Sequence, residues 1–93
     1  MIRHIDIGHD PESRQRQTRG LIIAGKIKLG GYQPGKIYGT LSCASGKRMR
    51  VENRVFFESE SEAISAGYRP CGHCLKAEYK AWAKKDITHR PQN

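Results

Sequence analysis

Cys43, Cys71 and Cys74 are the residues of this 93-residue chain whose types and spacing best suit chemistry. In Cys71-Gly-His-Cys74 two sulfurs stand three residues apart in a tight turn, with a helix predicted from the second. That spacing lets both thiolates reach one tetrahedral ion at about 2.3 Å each. A helix start also lowers thiol pKa, which favours metal binding and nucleophilicity alike. Cys43, placed at a predicted strand end, supplies a third sulfur. The competing readings are a simply buried Cys43 and a redox pair at Cys71 and Cys74. An odd number of cysteines argues against a disulfide framework. The fourth coordination position stays open among His73, His4, His9 and water. The turn that aims Cys71 and Cys74 at one ion points His73 outward, and a three-sulfur site with water would be of the open, catalytic type.

Composition favours the metal. Leu, Ile, Val and Phe make up only 17 residues, or 18% of the chain, against a net charge of +8 and a sequence pI near 9.8. A chain this short and this poor in large aliphatics has a marginal core. One bound zinc ion can add about 10 kcal/mol or more of folding energy. Large multilayer enzymes are excluded. So is a membrane-spanning helix, since the longest uncharged apolar run, Leu21 to Ala24, is far below the roughly 20 residues required. The opening MIRHIDIGHD alternates apolar and polar residues and lacks a signal-peptide core, so the expected location is the cytoplasm.

The elements that must position the cysteines read as one α+β domain over 1–93, with a core at about 21–85. Ile2, Ile5 and Ile7 could add a short strand or pack on the sheet. Residues 11–20, PESRQRQTRG, show no apolar periodicity and predict a mobile basic loop. LIIAGKIKLGG (21–31) predicts a strand running into a Gly30-Gly31 turn. YQPG (32–35) fits a type I turn, and KIYGTLSC (36–43) alternates as a second strand, giving a hairpin. RVFF (54–57) predicts a strand. Ser59 and Glu62 form a capping box for a helix over about 60–66, closed by Gly67. A second helix is predicted from Cys74 to about Lys85, with Leu75, Tyr79 and Trp82 on one stripe and Lys76, Lys80, Lys84 and Lys85 off it. Phe56, Phe57 and Trp82 are expected in the core, and 86–93 is expected to fray.

The runs KIYGTLSC, ENRVFF and SEAISAGYRPCGHC together resemble the zinc-binding N-terminal domain of the Ada DNA-repair family. That family reads G-I-[FY]-C-R-P-S-C, then E-N-V-x-F-[FY], then E-A-x-x-A-G-[FY]-R-P-C-x-x-C. The resemblance covers residues 35–75 and is specific, because residue types recur in order in three blocks. It implies a small zinc-stabilised domain, with a short antiparallel sheet and two helices, that binds DNA. In the family four cysteines hold zinc, and the first accepts a methyl group from a phosphotriester. Cys43, Cys71 and Cys74 match three of the four. Gly39 stands where the accepting cysteine would be, and Thr40-Leu41 replaces Arg-Pro. Methyl acceptance is therefore not expected.

Lys47, Arg48, Arg50, Arg54 and Arg69 flank the cysteines in sequence and form the candidate phosphate-binding cluster, since backbone contacts need positive charge and no base readout. Arg69 could equally be structural. Arg14, Arg16 and Arg19 read as a second, flexible group. Tyr32 and Tyr38 could stack on bases but more commonly pack across strands. The leading expectation is thus a monomeric, non-enzymatic zinc domain that binds DNA or structured nucleic acid. A thiol redox protein using Cys71 and Cys74 lacks the accompanying βαβ pattern. A small open-site zinc hydrolase lacks an obvious general base, with Glu52 and His73 the nearest candidates.

Overall fold

The computed structural model describes residues 1–43 and 49–89 of the chain. Along it run β1 (Ile2–Arg3), a 3-10 turn (His4–Asp6), α1 (Pro11–Ile23), β2 (Leu29–Tyr32) and β3 (Ile37–Thr40). A second 3-10 turn (Val51–Asn53), β4 (Arg54–Phe57), α2 (Glu60–Ser65), β5 (Arg69–Pro70) and α3 (Lys76–His89) follow. The five strands form one sheet in the order β1-β4-β2-β3-β5. Pairing is antiparallel throughout except between β3 and β5, which run parallel. The result is a small α+β domain with a mixed sheet, where the sequence predicted a purely antiparallel one.

The hairpin forms as expected, with its turn shifted by one residue. Lys36 N–H donates to the Gln33 carbonyl at 3.2 Å, so Pro34 takes the second turn position and Tyr32 pairs with Ile37 inside the ladder. Gly30 and Gly31 also lie inside β2 and do not form the predicted turn. A Cβ on Gly31 would sit 2.9 Å from both Phe57 Cε2 and Val55 Cγ2, so these side chains close over bare backbone. The chain over 21–23, read as strand, is instead the last turn of α1.

The core divides across the sheet. On one side Tyr38, Val55, Phe57, Ala63 and Tyr68 cluster, with Leu29 and Leu75 against them. On the other, Ile7, Ile27 and Phe56 cluster with Ile2, Leu21 and Leu41. Two thin clusters on opposite faces bury less apolar area per side than one thick core would. Trp82, expected in the core, is half-buried on α3 and stacks on Tyr79 at 5.8 Å.

α2 begins as the sequence predicts. Ser59 Oγ accepts from Glu62 N–H at 3.1 Å, and Gly67 closes the helix at φ +87°. Glu62 reaches one residue further back than a capping box requires, accepting from Glu58 N–H at 2.7 Å. α3 runs on to His89, past the predicted end at Lys85. The rest of the predicted tail, 90–93, lies outside the described residues.

The largest departure is α1, which occupies the predicted basic loop. Asp10 caps it, its Oδ1 accepting from Ser13 N–H at 2.8 Å, with Pro11 at the first helical position and Glu12 in the first turn. These are start signals independent of apolar periodicity. Gly8, at φ +71°, lets the chain press against the helix: a Cβ there would stand 2.6 Å from Arg14 N. If the Asp10 cap holds α1, Asp10→Ala should cost about 1 kcal/mol of local helix stability. Amide exchange over 11–18 should then accelerate severalfold while exchange in β2 and β4 stays put. Unchanged exchange in α1 would show that its other contacts suffice.

Candidate metal centre

The three cysteines converge from two directions. Cys43 follows a turn at the end of β3, where its N–H donates to the Thr40 carbonyl at 3.2 Å. The knuckle is delivered by β5, whose parallel pairing ends with Cys71 N–H donating to the Tyr38 carbonyl at 2.8 Å. Leu75 N–H then donates to the Cys71 carbonyl at 3.0 Å, which turns the chain into α3. Cys43 is buried, and Cys71 and Cys74 are half-buried. The three Sγ atoms all lie within 4.8 Å of one another. Sulfurs bound at 2.3 Å to one tetrahedral ion stand about 3.8 Å apart. A small inward movement of the side chains therefore suffices to hold a metal ion.

Backbone amides support the sulfurs. Thr40 N–H points at Cys74 Sγ at 3.4 Å, and His73 N–H at Cys71 Sγ at 3.4 Å. Burial pushes the Cys74 thiol above its ordinary pKa, the Thr40 amide opposes this, and the neighbouring Cys43 and Cys71 sulfurs add to the rise. A cation among the sulfurs reverses that balance, because metal binding deprotonates a coordinating thiol.

None of the three described candidate histidines joins the group. His73 is exposed in the knuckle. His9 is exposed, and His4 packs edge-on against Phe56 at 5.1 Å. Gly39 does face the sulfurs: a Cβ built on it would lie 2.7 Å from Cys74 Sγ and 3.3 Å from Cys71 Cβ. Gly39 pairs with Gly30, so two residues without side chains lie abreast in the sheet. Over them opens a groove of about 340 Å³ bordered by Cys43, Cys71, Tyr32, Ile37, Met49 and Arg54. Sequence reasoning did not find this groove, whose only trace is the pairing of two strand glycines.

The candidate basic residues separate. Arg54 borders the groove, half-buried, with its guanidinium 5.0 Å from the Phe56 ring centre. Arg50 is exposed just ahead of the second 3-10 turn. Arg69 turns to α3, its guanidinium 5.5 Å from the Tyr79 ring and 5.6 Å from that of Trp82, and donates to the Pro70 carbonyl at 3.3 Å. Lys47 and Arg48 lie outside the described residues. Tyr38 is buried in the core and donates to Glu60 Oε2 at 2.8 Å, while Tyr32 remains exposed. Burial first, and the Glu60 bond second, hold the Tyr38 hydroxyl well above its ordinary pKa.

Fold and site define a small sheet domain with a three-thiol metal centre at one end of its central hairpin. The chain belongs to the family of the metal binding domain of Ada, which it matches over residues 29–76. That span runs from β2 to the first residue of α3 and contains all three cysteines. No curated protein and no solved structure matches the chain. Because the apolar core is divided, metal removal by a strong chelator at neutral pH should abolish the cooperative thermal transition, and Cys71→Ser should do the same. An unchanged Tm after verified metal removal would contradict this.

Proposed function

We propose that the protein is a zinc domain that binds DNA through its phosphate backbone and does not accept methyl groups. The observation that carries the zinc assignment is the cluster of three sulfurs in a domain of the Ada metal-binding family. Thiolates suit zinc, and a buried Cys43 beside a backbone-braced knuckle suits a structural site. When bound, the ion supplies charge that keeps three neighbouring thiolates ionised and ties β3 to β5. The chain's own part is to hold Cys71 by the Tyr38 carbonyl and to aim Thr40 N–H at Cys74.

Support for the missing acceptor comes from Gly39, whose absent side chain is aimed at the sulfurs. Glycine offers neither ligand nor nucleophile. On this reading, DNA carrying methylphosphotriesters should leave the protein's mass unchanged. Gly39→Cys should tighten zinc by supplying a fourth sulfur, once Cys74 Sγ yields the space. A stable gain of one methyl on wild-type Cys43 would overturn it.

DNA binding draws support from the net charge of +8, from Arg54 bordering the groove beside Cys43 and Cys71, and from the exposed Arg50. For about four phosphate contacts, log affinity should fall against log salt with a slope near −3.6. The triple variant Lys47→Ala, Arg48→Ala, Arg50→Ala should lower the slope by about three contacts and weaken binding across all sequences alike. A labelled duplex titrated at several salt concentrations tests this. Equal binding by wild type and variant would reduce Lys47, Arg48 and Arg50 to solvated charges, and no binding at low salt would remove DNA as the partner.

A further inference from the structure

α1 turns the wrong kind of face toward the protein for a helix held by apolar packing. Pro11, Arg14, Gln15, Thr18, Arg19 and Ile22 follow helical spacing and border a groove of about 750 Å³, whose far wall is His4, Val51 and Arg54. None of the thirteen residues of α1 is fully buried. Its apolar tie is Leu21, against the Ile7, Ile27 and Phe56 cluster. The face between helix and sheet thus sets Arg14, Gln15, Thr18 and Arg19 among the apolar Pro11, Ile22 and Val51, where helices normally bury a continuous apolar stripe.

Four buried side-chain polar atoms have no hydrogen-bond partner among the described residues: His4 Nδ1, Arg14 Nε, Thr18 Oγ1 and Arg54 Nε. All four belong to residues lining this groove. Such atoms normally find partners, because each left unmade costs about 1–3 kcal/mol. Thr18 even forgoes the bond to a preceding helical carbonyl that a mid-helix threonine commonly makes. No carboxylate lines the groove, and Arg14, Arg19 and Arg54 form no ion pair among the described residues. Side chains carrying three guanidiniums, an imidazole and a hydroxyl therefore line one groove with no carboxylate among them.

We propose that this groove is a binding site for a phosphoryl group, built between the N-terminal segment, which lies outside the family-matched span, and Val51 and Arg54 within it. Arginine has only donors, so the ligand must be rich in acceptors, and planar guanidinium forks match phosphate oxygens. A carboxylate offers two oxygens in one plane. A tetrahedral phosphoryl group offers oxygens toward both walls at once, which is what Arg14 and Thr18 on the helix and Arg54 and His4 on the sheet side require. Arg54 also borders the groove beside Cys43 and Cys71, so the two grooves share a wall. The site stands apart from the DNA-binding reading, since a small phosphorylated molecule would satisfy it equally.

The test uses the full chain carrying its metal, titrated with inorganic phosphate against chloride at constant ionic strength and followed by NMR. Saturable shifts are expected at His4, Arg14, Thr18 and Arg54. Gln15→Glu places a carboxylate in the lining from an exposed helical position and should weaken phosphate about tenfold or more. Gln17→Glu makes the same charge change on α1 outside the lining and, beside Arg14 but not in the groove, should weaken phosphate severalfold less than Gln15→Glu does. Arg14→Gln should weaken phosphate comparably to Gln15→Glu, with spectral dispersion reporting that the fold is kept. Equal loss in Gln15→Glu and Gln17→Glu, or no saturable shift beyond chloride, would overturn the site. A parallel titration with a labelled duplex separates the sources. If Gln15→Glu also weakens the duplex selectively, the phosphoryl group is that of a nucleic-acid backbone; if only phosphate is affected, it is that of a small molecule. DNA binding can thus fail without the site failing.

Discussion

The hydrogen bond from Cys71 N–H to the Tyr38 carbonyl, at 2.8 Å, is the contact on which the metal centre turns. It ends the parallel pairing of β5 with β3, and β5 has only two residues with which to make that pairing. So short a strand holds little by itself. Its position is fixed by Tyr38 and Tyr68 packing in one cluster, by Arg69 over the Tyr79 and Trp82 rings, and by the sulfurs it delivers. The knuckle is thereby coupled to the core: whatever loosens Tyr38 loosens Cys71. Metal and core stabilise the same short strand from its two ends, which fits a domain whose apolar clusters are thin on both faces.

Glycine does opposite work at two adjacent ranks of the sheet. Gly31 is required because Val55 and Phe57 close over it, a packing constraint on the core side. Gly30 and Gly39 lie abreast across β2 and β3 and leave backbone bare beside the sulfurs. The first use fills space and the second opens it. Both arise from strands that carry little side-chain bulk, and each leaves the neighbouring residues to define the surface.

Much of the fold was legible where local chemistry and tertiary structure agree. Ser59, Glu62 and Gly67 announced α2, RVFF announced β4, and the alternation around Gln33-Pro34 announced the hairpin. The three cysteines were legible from spacing and from the blocks around them. The failures share a cause. α1 was missed because its groove-facing side is polar, so the periodicity that marks a helix was absent although Asp10 and Pro11 marked its start. The Gly30-Gly31 pair looked like a turn because, in one dimension, a strand glycine needed by Phe57 cannot be told from a turn glycine. Trp82 was assigned to the core from its place on the stripe with Leu75 and Tyr79, while its actual partners are a stacked Tyr79 and a guanidinium. The mixed sheet was hidden for a similar reason: two residues, Arg69 and Pro70, are too few to show a period.

The pairing of β1 with β4 sets an order of assembly. Ile2 lies beside Phe56 and Arg3 beside Val55, partners more than fifty positions away along the chain. β2 and β3 meet through a four-residue turn, and β4 joins β2 before β1 has an edge to add to. Long loop closures carry an entropic cost that local hairpins avoid. The strand with the most distant partner, β1, is therefore among the last to dock, and α1 arrives with it. The hairpin, Cys43 and the Cys71–Cys74 knuckle can gather before the N-terminal segment folds across the sheet, making that segment a late addition to a centre already assembled.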